Sequence, residues 1–185
     1  GALLLSYYNA ASAVYSSNIE GNTLDLNSFM NVRQFKNKMT KEVQEIEDLI
    51  EAYRFAQKHI LNEQNLLKVH AILSRLLLIK SKQGKYRDER VGVFSTRGLV
   101  YLAVEPEYVL QEMQLFFQSV KKLLKSPLTL EETFYYASLY HLKFVHIHPF
   151  ADGNGRAARL FEKWFLSQFL GKDAWKIPSE QYYWT

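Results

Sequence analysis

A chain of 185 residues with 48% hydrophobic, 15% aromatic and 23% charged residues has the length of one domain and enough apolar side chains for a sizeable core, which excludes intrinsic disorder. The absence of cysteine rules out disulfides, thiolate nucleophiles and Cys-ligated metal centres, and fits a reducing, cytoplasmic setting. The net charge of +4 is spread in small groups rather than gathered on one face, so nucleic acid is an unlikely partner and a helical nucleic-acid-binding module is the lesser alternative.

Apolar spacing of three and four dominates, so the predicted fold is mainly α. A first helix is expected from Ser6 to Glu20, stopped by Gly21-Asn22. The apolar start Gly1 to Leu5 lacks the basic residues of a signal peptide and is broken by Tyr7, Tyr8 and Asn9. A short helix should follow Leu26. Thr40 is a natural N-cap for a third, buried through Val43, Ile46, Leu49, Ile50, Tyr53 and Ala56. Asn62 caps a fourth, predicted to run through Leu66, Leu67, Ile72, Leu73, Leu76 and Leu77 to about Ile79. Its richest stretch, Ala71 to Ile79, is interrupted by Ser74 and Arg75, and no segment has the length of a membrane span.

After the polar, basic stretch Lys80 to Arg90, the runs Val91-Gly92-Val93-Phe94 and Leu99-Val100-Tyr101-Leu102-Ala103-Val104 flank Ser95-Thr96-Arg97-Gly98, a β-hairpin pattern. A lone hairpin is marginal in water, so it must lie on the helices or await a partner strand, as a flap would. Pro106 opens a fifth helix that Pro127 closes. Thr129 and Glu132 have capping-box spacing and open a sixth, reaching Phe144 to His146. A seventh runs from Asn154 to Leu170, before Gly171. The aromatic tail ending Tyr182-Tyr183-Trp184-Thr185 implies that it packs down or that the chain continues. No repeat, low-complexity tract or interdomain linker is present.

One polar loop stands between two apolar helices: His148-Pro149-Phe150-Ala151-Asp152-Gly153-Asn154-Gly155-Arg156-Ala157-Ala158-Arg159. Gly153 and Gly155 allow a bend in which backbone N–H groups converge on an anion at the positive end of the next helix. Arg156 and Arg159 share a helix face and can grip phosphate oxygens. Asp152 offers the hard oxygen that Mg²⁺ takes alongside substrate phosphates, and Asn154 can donate to a phosphate. His148 can accept a proton from an attacking hydroxyl, and Phe150 reads as an apolar anchor. Together these are the equipment of phosphoryl or nucleotidyl transfer. A transition-metal site of His141, His146 and His148 is weaker, because the first two are five apart and do not share a helix face.

The segment closely resembles the signature of the Fic family, His-x-Phe-x-Asp/Glu-Gly-Asn-Gly-Arg-x-x-Arg, with every specified position met by His148 to Arg159. His141-Leu142-Lys143-Phe144 is similar to the family's approach helix, and Gly84-Lys85-Tyr86-Arg87 with the Val91 to Val104 hairpin is similar to its flap. The resemblance implies a Fic-type helical bundle with one β-hairpin flap. It also implies transfer of AMP from ATP to a Ser, Thr or Tyr hydroxyl of a target protein, with release of pyrophosphate. His148 would be the base. Asp152 would hold Mg²⁺ at the phosphates, Gly153, Asn154 and Gly155 would cradle them, and Arg156 and Arg159 would steady the β and γ groups. Phosphate-transferring relatives similar to Doc have lysine where this chain has Gly155, which favours adenylyl transfer.

Ser16-Ser17-Asn18-Ile19-Glu20-Gly21 is similar to the family's inhibitory pattern Ser/Thr-x-x-x-Glu-Gly/Asn, so residues 1–22 are expected to be an inhibitory helix on a domain of residues 23–185. On this resemblance Ser16, Glu20 and Gly21 form the inhibitory element, with Glu20 pairing with Arg159. The flap, through Val91, Gly92, Val93, Phe94, Leu99, Val100 and Tyr101, would align the target by main-chain pairing. The family also suggests dimers or self-modification. Removal of AMP, or transfer of another nucleotide, would use the same residues.

Overall fold

The computed structural model describes residues 2–35, 39–95 and 98–184. Thr96 and Arg97 of the hairpin turn, and Thr185 of the tail, lie outside the described residues. The described elements are α1 (Ala2–Ile19), α2 (Leu26–Phe35), α3 (Lys41–Ala56), α4 (Glu63–Leu73), β1 (Gly92–Ser95), β2 (Gly98–Leu102), α5 (Pro106–Leu123), α6 (Leu130–Ile147), α7 (Asn154–Leu170), a 3-10 helix (Gly171–Lys176) and α8 (Ser179–Trp184).

The caps follow from residue chemistry. Thr40 accepts from the Val43 N–H and Asn62 from the Asn65 N–H, each satisfying an orphan donor of a first turn. Thr129 and Glu132 close both halves of the capping box of α6, at 3.2 and 2.8 Å. Gly171 terminates α7 with φ 65.

The fourth helix corrects its expectation: α4 stops at Leu73 rather than near Ile79. Beyond it, the Leu77 and Leu78 N–H groups both reach Ser74 O at 3.0 Å, so turns replace the helix. Turns and helix share the three-and-four spacing, which is why the sequence pattern ran on. The apolar side chains there are not all core, since Leu76 is 41% and Ile79 68% exposed.

The bundle is organised around α7, whose Ala157, Ala158, Leu160, Phe161, Trp164, Phe165 and Leu166 are all buried, together with the charged Arg156, Arg159, Glu162 and Lys163. It packs on α6, α4 and α3. Phe116 on α5 sits edge-on to Tyr140 and Phe144 of α6 and 5.1 Å from Phe161 of α7. Phe144 in turn meets Phe150 at 6.1 Å, so the core continues directly into the polar loop.

The two strands pair antiparallel with Gly92 opposite Leu102, Val93 opposite Tyr101 and a register shift after Val93. They are shifted toward the turn relative to the predicted runs, taking in Ser95 and Gly98 and leaving out Val91, Ala103 and Val104; Val91 and Ala103 are joined by an N–H to carbonyl bond of 3.1 Å outside the strands. The tail packs down in part. Trp175 sits edge-on to Tyr53 at 6.1 Å, and fully buried Glu180 pairs with Lys163 at 2.7 Å and accepts from the Tyr53 hydroxyl. Ser12 of α1 also accepts from Lys163, so α8 and α7 together grip α1. Tyr182, Tyr183 and Trp184 stay exposed. No helix among the described residues is long and apolar enough to cross a membrane.

Candidate active site

The polar loop links the C-terminus of α6 to the N-terminus of α7, and its shape is set by groups from distant parts of the chain. His148 caps α6 with φ 52 and ψ 60, the only left-handed residue besides glycine among the described residues. Arg87, 5% exposed, holds it there: Nε donates to His148 O at 2.6 Å, one Nη to Ile147 O at 3.2 Å, and the Arg87 N–H to Pro149 O at 2.9 Å. The same guanidinium donates to Glu89 O and Val104 O, carbonyls just outside the two ends of the hairpin. One buried cation thus ties the base of the flap to the loop.

A second support is His70 on α4. Its ring stacks on Phe150 at 3.6 Å, its Nε2 lies 2.9 Å from Asp152 O, and its Nδ1 accepts the Gly84 N–H at 2.9 Å. Because an N–H points at Nδ1, the proton belongs on Nε2, which donates to Asp152 O. Burial pushes the His70 pKa down to about 4, so the ring is neutral. Neither Arg87 nor His70 was singled out for this work from sequence. The signal for Arg87 was its place in Gly84-Lys85-Tyr86-Arg87, while a single histidine on a helix face carried none.

The imidazole of His148 faces Val145 O through Nδ1 at 3.2 Å, with the Tyr101 hydroxyl 3.4 Å away. Burial holds its pKa below the ordinary 6.5, a direction that the nearby Arg87 charge reinforces and Asp152 and Glu20 oppose. A neutral ring protonated on Nδ1 leaves the Nε2 lone pair for a substrate proton.

Two expected roles change on inspection. Asn154 does not offer its side chain to a ligand: Oδ1 accepts the Phe150 N–H at 2.9 Å and Nδ2 donates to Phe150 O at 2.8 Å, closing the loop as a ring. Only its backbone, at the start of α7, can face an anion. Gly153 has φ 79 and bends the chain as expected, but Gly155 lies inside α7 without positive φ. It matters through space. A Cβ there would sit 2.2 Å from Glu20 Oε1 and 3.0 Å from an Arg159 Nη. Both atoms are the far ends of flexible side chains, so Gly155→Ala is expected to push the Glu20 carboxylate aside and weaken its pair with Arg159, at a cost of up to about 1 kcal/mol. In a Glu20→Gly background the obstacle is gone and alanine's helix preference should make the change neutral or stabilising by up to about 1 kcal/mol. Thermal denaturation of the four chains of this cycle reads the coupling.

Arg159, 6% exposed, is held by α1 through Nε and one Nη: Nε donates to Ser16 Oγ at 2.9 Å, and the Nη to Ser16 O at 3.0 Å and to Glu20 Oε1 at 2.6 Å. Gly21, with φ 93, and Asn22 end α1 so that Glu20 lies over the N-terminus of α7. Arg156 is also buried, with Glu45 of α3 at 3.7 Å and its Nε without a partner. Glu20, Glu45, Asp152, Gly153 and Arg156 line a cleft of about 360 Å³.

Asp152 is exposed, with one oxygen accepting the Gly153 N–H at 2.6 Å. A single exposed carboxylate beside an anion cradle fits a Mg²⁺ that takes its remaining ligands from phosphates and water. No group of three or more His, Asp or Glu side chains able to hold a metal occurs among the described residues. His141 is instead bonded to Glu162 at 2.5 Å, and His146 lies 5.4 Å from the Tyr101 ring.

The sequence and the fold both have counterparts among known proteins. The Fic/DOC family model matches residues 60–166. A protein adenylyltransferase Fic from Nematostella vectensis is 31% identical over 157 residues, 80% of this chain and 35% of the relative. One of the same name from Drosophila erecta is 28% identical over 90% of this chain and 34% of its own length. The chain therefore spans about a third of these relatives. A crystal structure of a Fic family protein from Desulfovibrio desulfuricans G20 superposes with a TM-score of 0.81 at 28% identity, covering 96% of this chain and 53% of that one.

Proposed function

This chain belongs to the Fic/DOC family, and on that premise we propose that it transfers AMP from ATP to a Ser, Thr or Tyr hydroxyl of a target protein and is held inactive by Glu20. The observation that carries the reading is the juxtaposition, in one loop, of a neutral, half-buried base and a helix N-terminus able to hold an anion.

In the proposed step the target oxygen attacks the α-phosphorus, its proton passes to His148 Nε2, and the bond to the departing pyrophosphate oxygen breaks. The backbone N–H groups at the start of α7 would face the phosphates, and at Gly155, which has no side chain, the adjoining space is taken by the Glu20 carboxylate until that group moves away. Asp152 is the carboxylate that would hold Mg²⁺, which would neutralise phosphate charge there. Arg156 and Arg159 would complete the clamp once freed of Glu45 and Glu20. The flap strands β1 and β2 offer main-chain groups for pairing with an extended target.

Residues 1–22 act in this proposal as the inhibitory segment of a domain formed by residues 23–185. The names of the Nematostella and Drosophila relatives support the reaction class. The test is label transfer to protein from α-³²P-ATP and, separately, γ-³²P-ATP with Mg²⁺, using the Glu20→Gly chain. Label from the α position alone is expected. Label from the γ position would make the chain a kinase and overturn the reading.

A further inference from the structure

We propose that Tyr101 is a positioning residue for His148, fixing the imidazole in the tautomer that keeps Nε2 free whenever the hairpin is seated on α6. The inference rests on the reading of His148 as the base.

The Tyr101 hydroxyl donates to Val145 O at 2.6 Å, a strong bond by length. Its oxygen is 3.4 Å from His148 Nδ1, and Nδ1 is 3.2 Å from the same Val145 carbonyl. Two oxygens therefore face Nδ1. The carbonyl has no proton to give, and the hydroxyl has committed its own to that carbonyl. Burial raises the Tyr101 pKa, so the hydroxyl keeps its proton. Only the tautomer with hydrogen on Nδ1 satisfies this arrangement, which leaves the Nε2 lone pair outward. The ring of Tyr101 lies roughly perpendicular to that of His148, at 77° and 6.5 Å, and 5.4 Å from His146. The hydroxyl thus occupies the place from which a water would otherwise donate to Nδ1 and favour the wrong tautomer.

The position of Tyr101 in the chain gives this bond its functional weight. It is on β2, opposite Val93 of β1, in the element offered for target pairing. Arg87 couples both ends of the hairpin to the His148 backbone, and Tyr101 couples one strand to the His148 side chain. Seating of the flap and readiness of the base become one event.

Tyr101→Phe removes the hydroxyl and keeps the ring. Two readouts test it. The first is the His148 tautomer from long-range ¹⁵N–¹H spectra, assigned by loss of its signals in His148→Gln; it needs no turnover. Wild type should show hydrogen on Nδ1, and Tyr101→Phe a mixture. The second is self-labelling with α-³²P-ATP in the Glu20→Gly background, where the maximal rate should fall about three- to tenfold, the worth of one hydrogen bond, with the KM for ATP unchanged. A tautomer that does not change in Tyr101→Phe would overturn the proposal, as would a higher KM at unchanged maximal rate, which marks a mere flap anchor. If neither chain labels itself, the transfer reading is what fails, and the tautomer alone decides the role of Tyr101.

Discussion

Replacing Glu20 with glycine is expected to raise the initial rate of AMP transfer by about ten- to a hundredfold, the size of a typical coupling between a regulatory contact and ligand binding. The competitor is intramolecular. Arg159 is buried and spends its donors on Ser16 and Glu20, so a phosphate that wants the same guanidinium must first displace a carboxylate 2.6 Å away. That carboxylate never diffuses off, because the turn at Gly21 and the packing of α1 on α3 and α8 return it to the same place. The Glu20 side chain is 36% exposed, so solvent screens the pair and the effect belongs in this range rather than at the several-kcal/mol cost of a fully buried ion. Glycine also loosens the last turn of α1, so Glu20→Gln is the control: it keeps the length and removes the charge, and it should give most of the gain. Ser16→Ala should do less, since the Ser16 carbonyl still accepts from Arg159. ATP binding followed by calorimetry should tighten in parallel with the rate. Equal affinity and equal rate in all four chains would remove Glu20 from the regulation of this site.

The Glu20–Arg159 contact is legible in sequence because both of its ends sit in short local patterns, Ser16 to Gly21 and His148 to Arg159. The same was true of helix starts: Thr40, Asn62 and the Thr129/Glu132 pair are caps whose chemistry acts over three residues. What escaped was chemistry acting over long separations. The His70 ring bonds a carbonyl 82 residues away and Arg87 one that is 61 away, and a buried arginine in a basic stretch looks in sequence like solvated surface. In sequence Gly155 looks like a bend because glycine usually is one; the close contact at this position is with Glu20, brought against it by the fold. In sequence Asn154 looks like a phosphate donor because amides donate, yet its own loop uses both ends of that amide first. The error at α4 has a different origin. Three-and-four apolar spacing measures which side faces inward, and a series of turns after Ser74 keeps that spacing after the helix has ended.

His148→Ala, made in the Glu20→Gly chain, should lower target labelling by about 10²–10⁴, the usual contribution of a positioned general base. The pH profile of the parent distinguishes a base from a structural histidine. Burial depresses the His148 pKa, so the ring stays unprotonated below the ordinary 6.5 and the rate should hold as pH falls through that value, declining only through the lower, depressed pKa. Of the groups that face the ring, Arg87 pushes in the same direction, while Asp152 and Glu20 push the other way. Removing Glu20 therefore moves the acid limb further down, and a cation held at Asp152 would move it down again by cancelling the second carboxylate. Rates from pH 5 to 8 in Glu20→Gln and Glu20→Gly should share this low limb, and His148→Ala should lack it. An acid limb at or above 6.5 would mean that the group titrating is not the half-buried His148 imidazole, and the proton would have to be sought elsewhere in the loop.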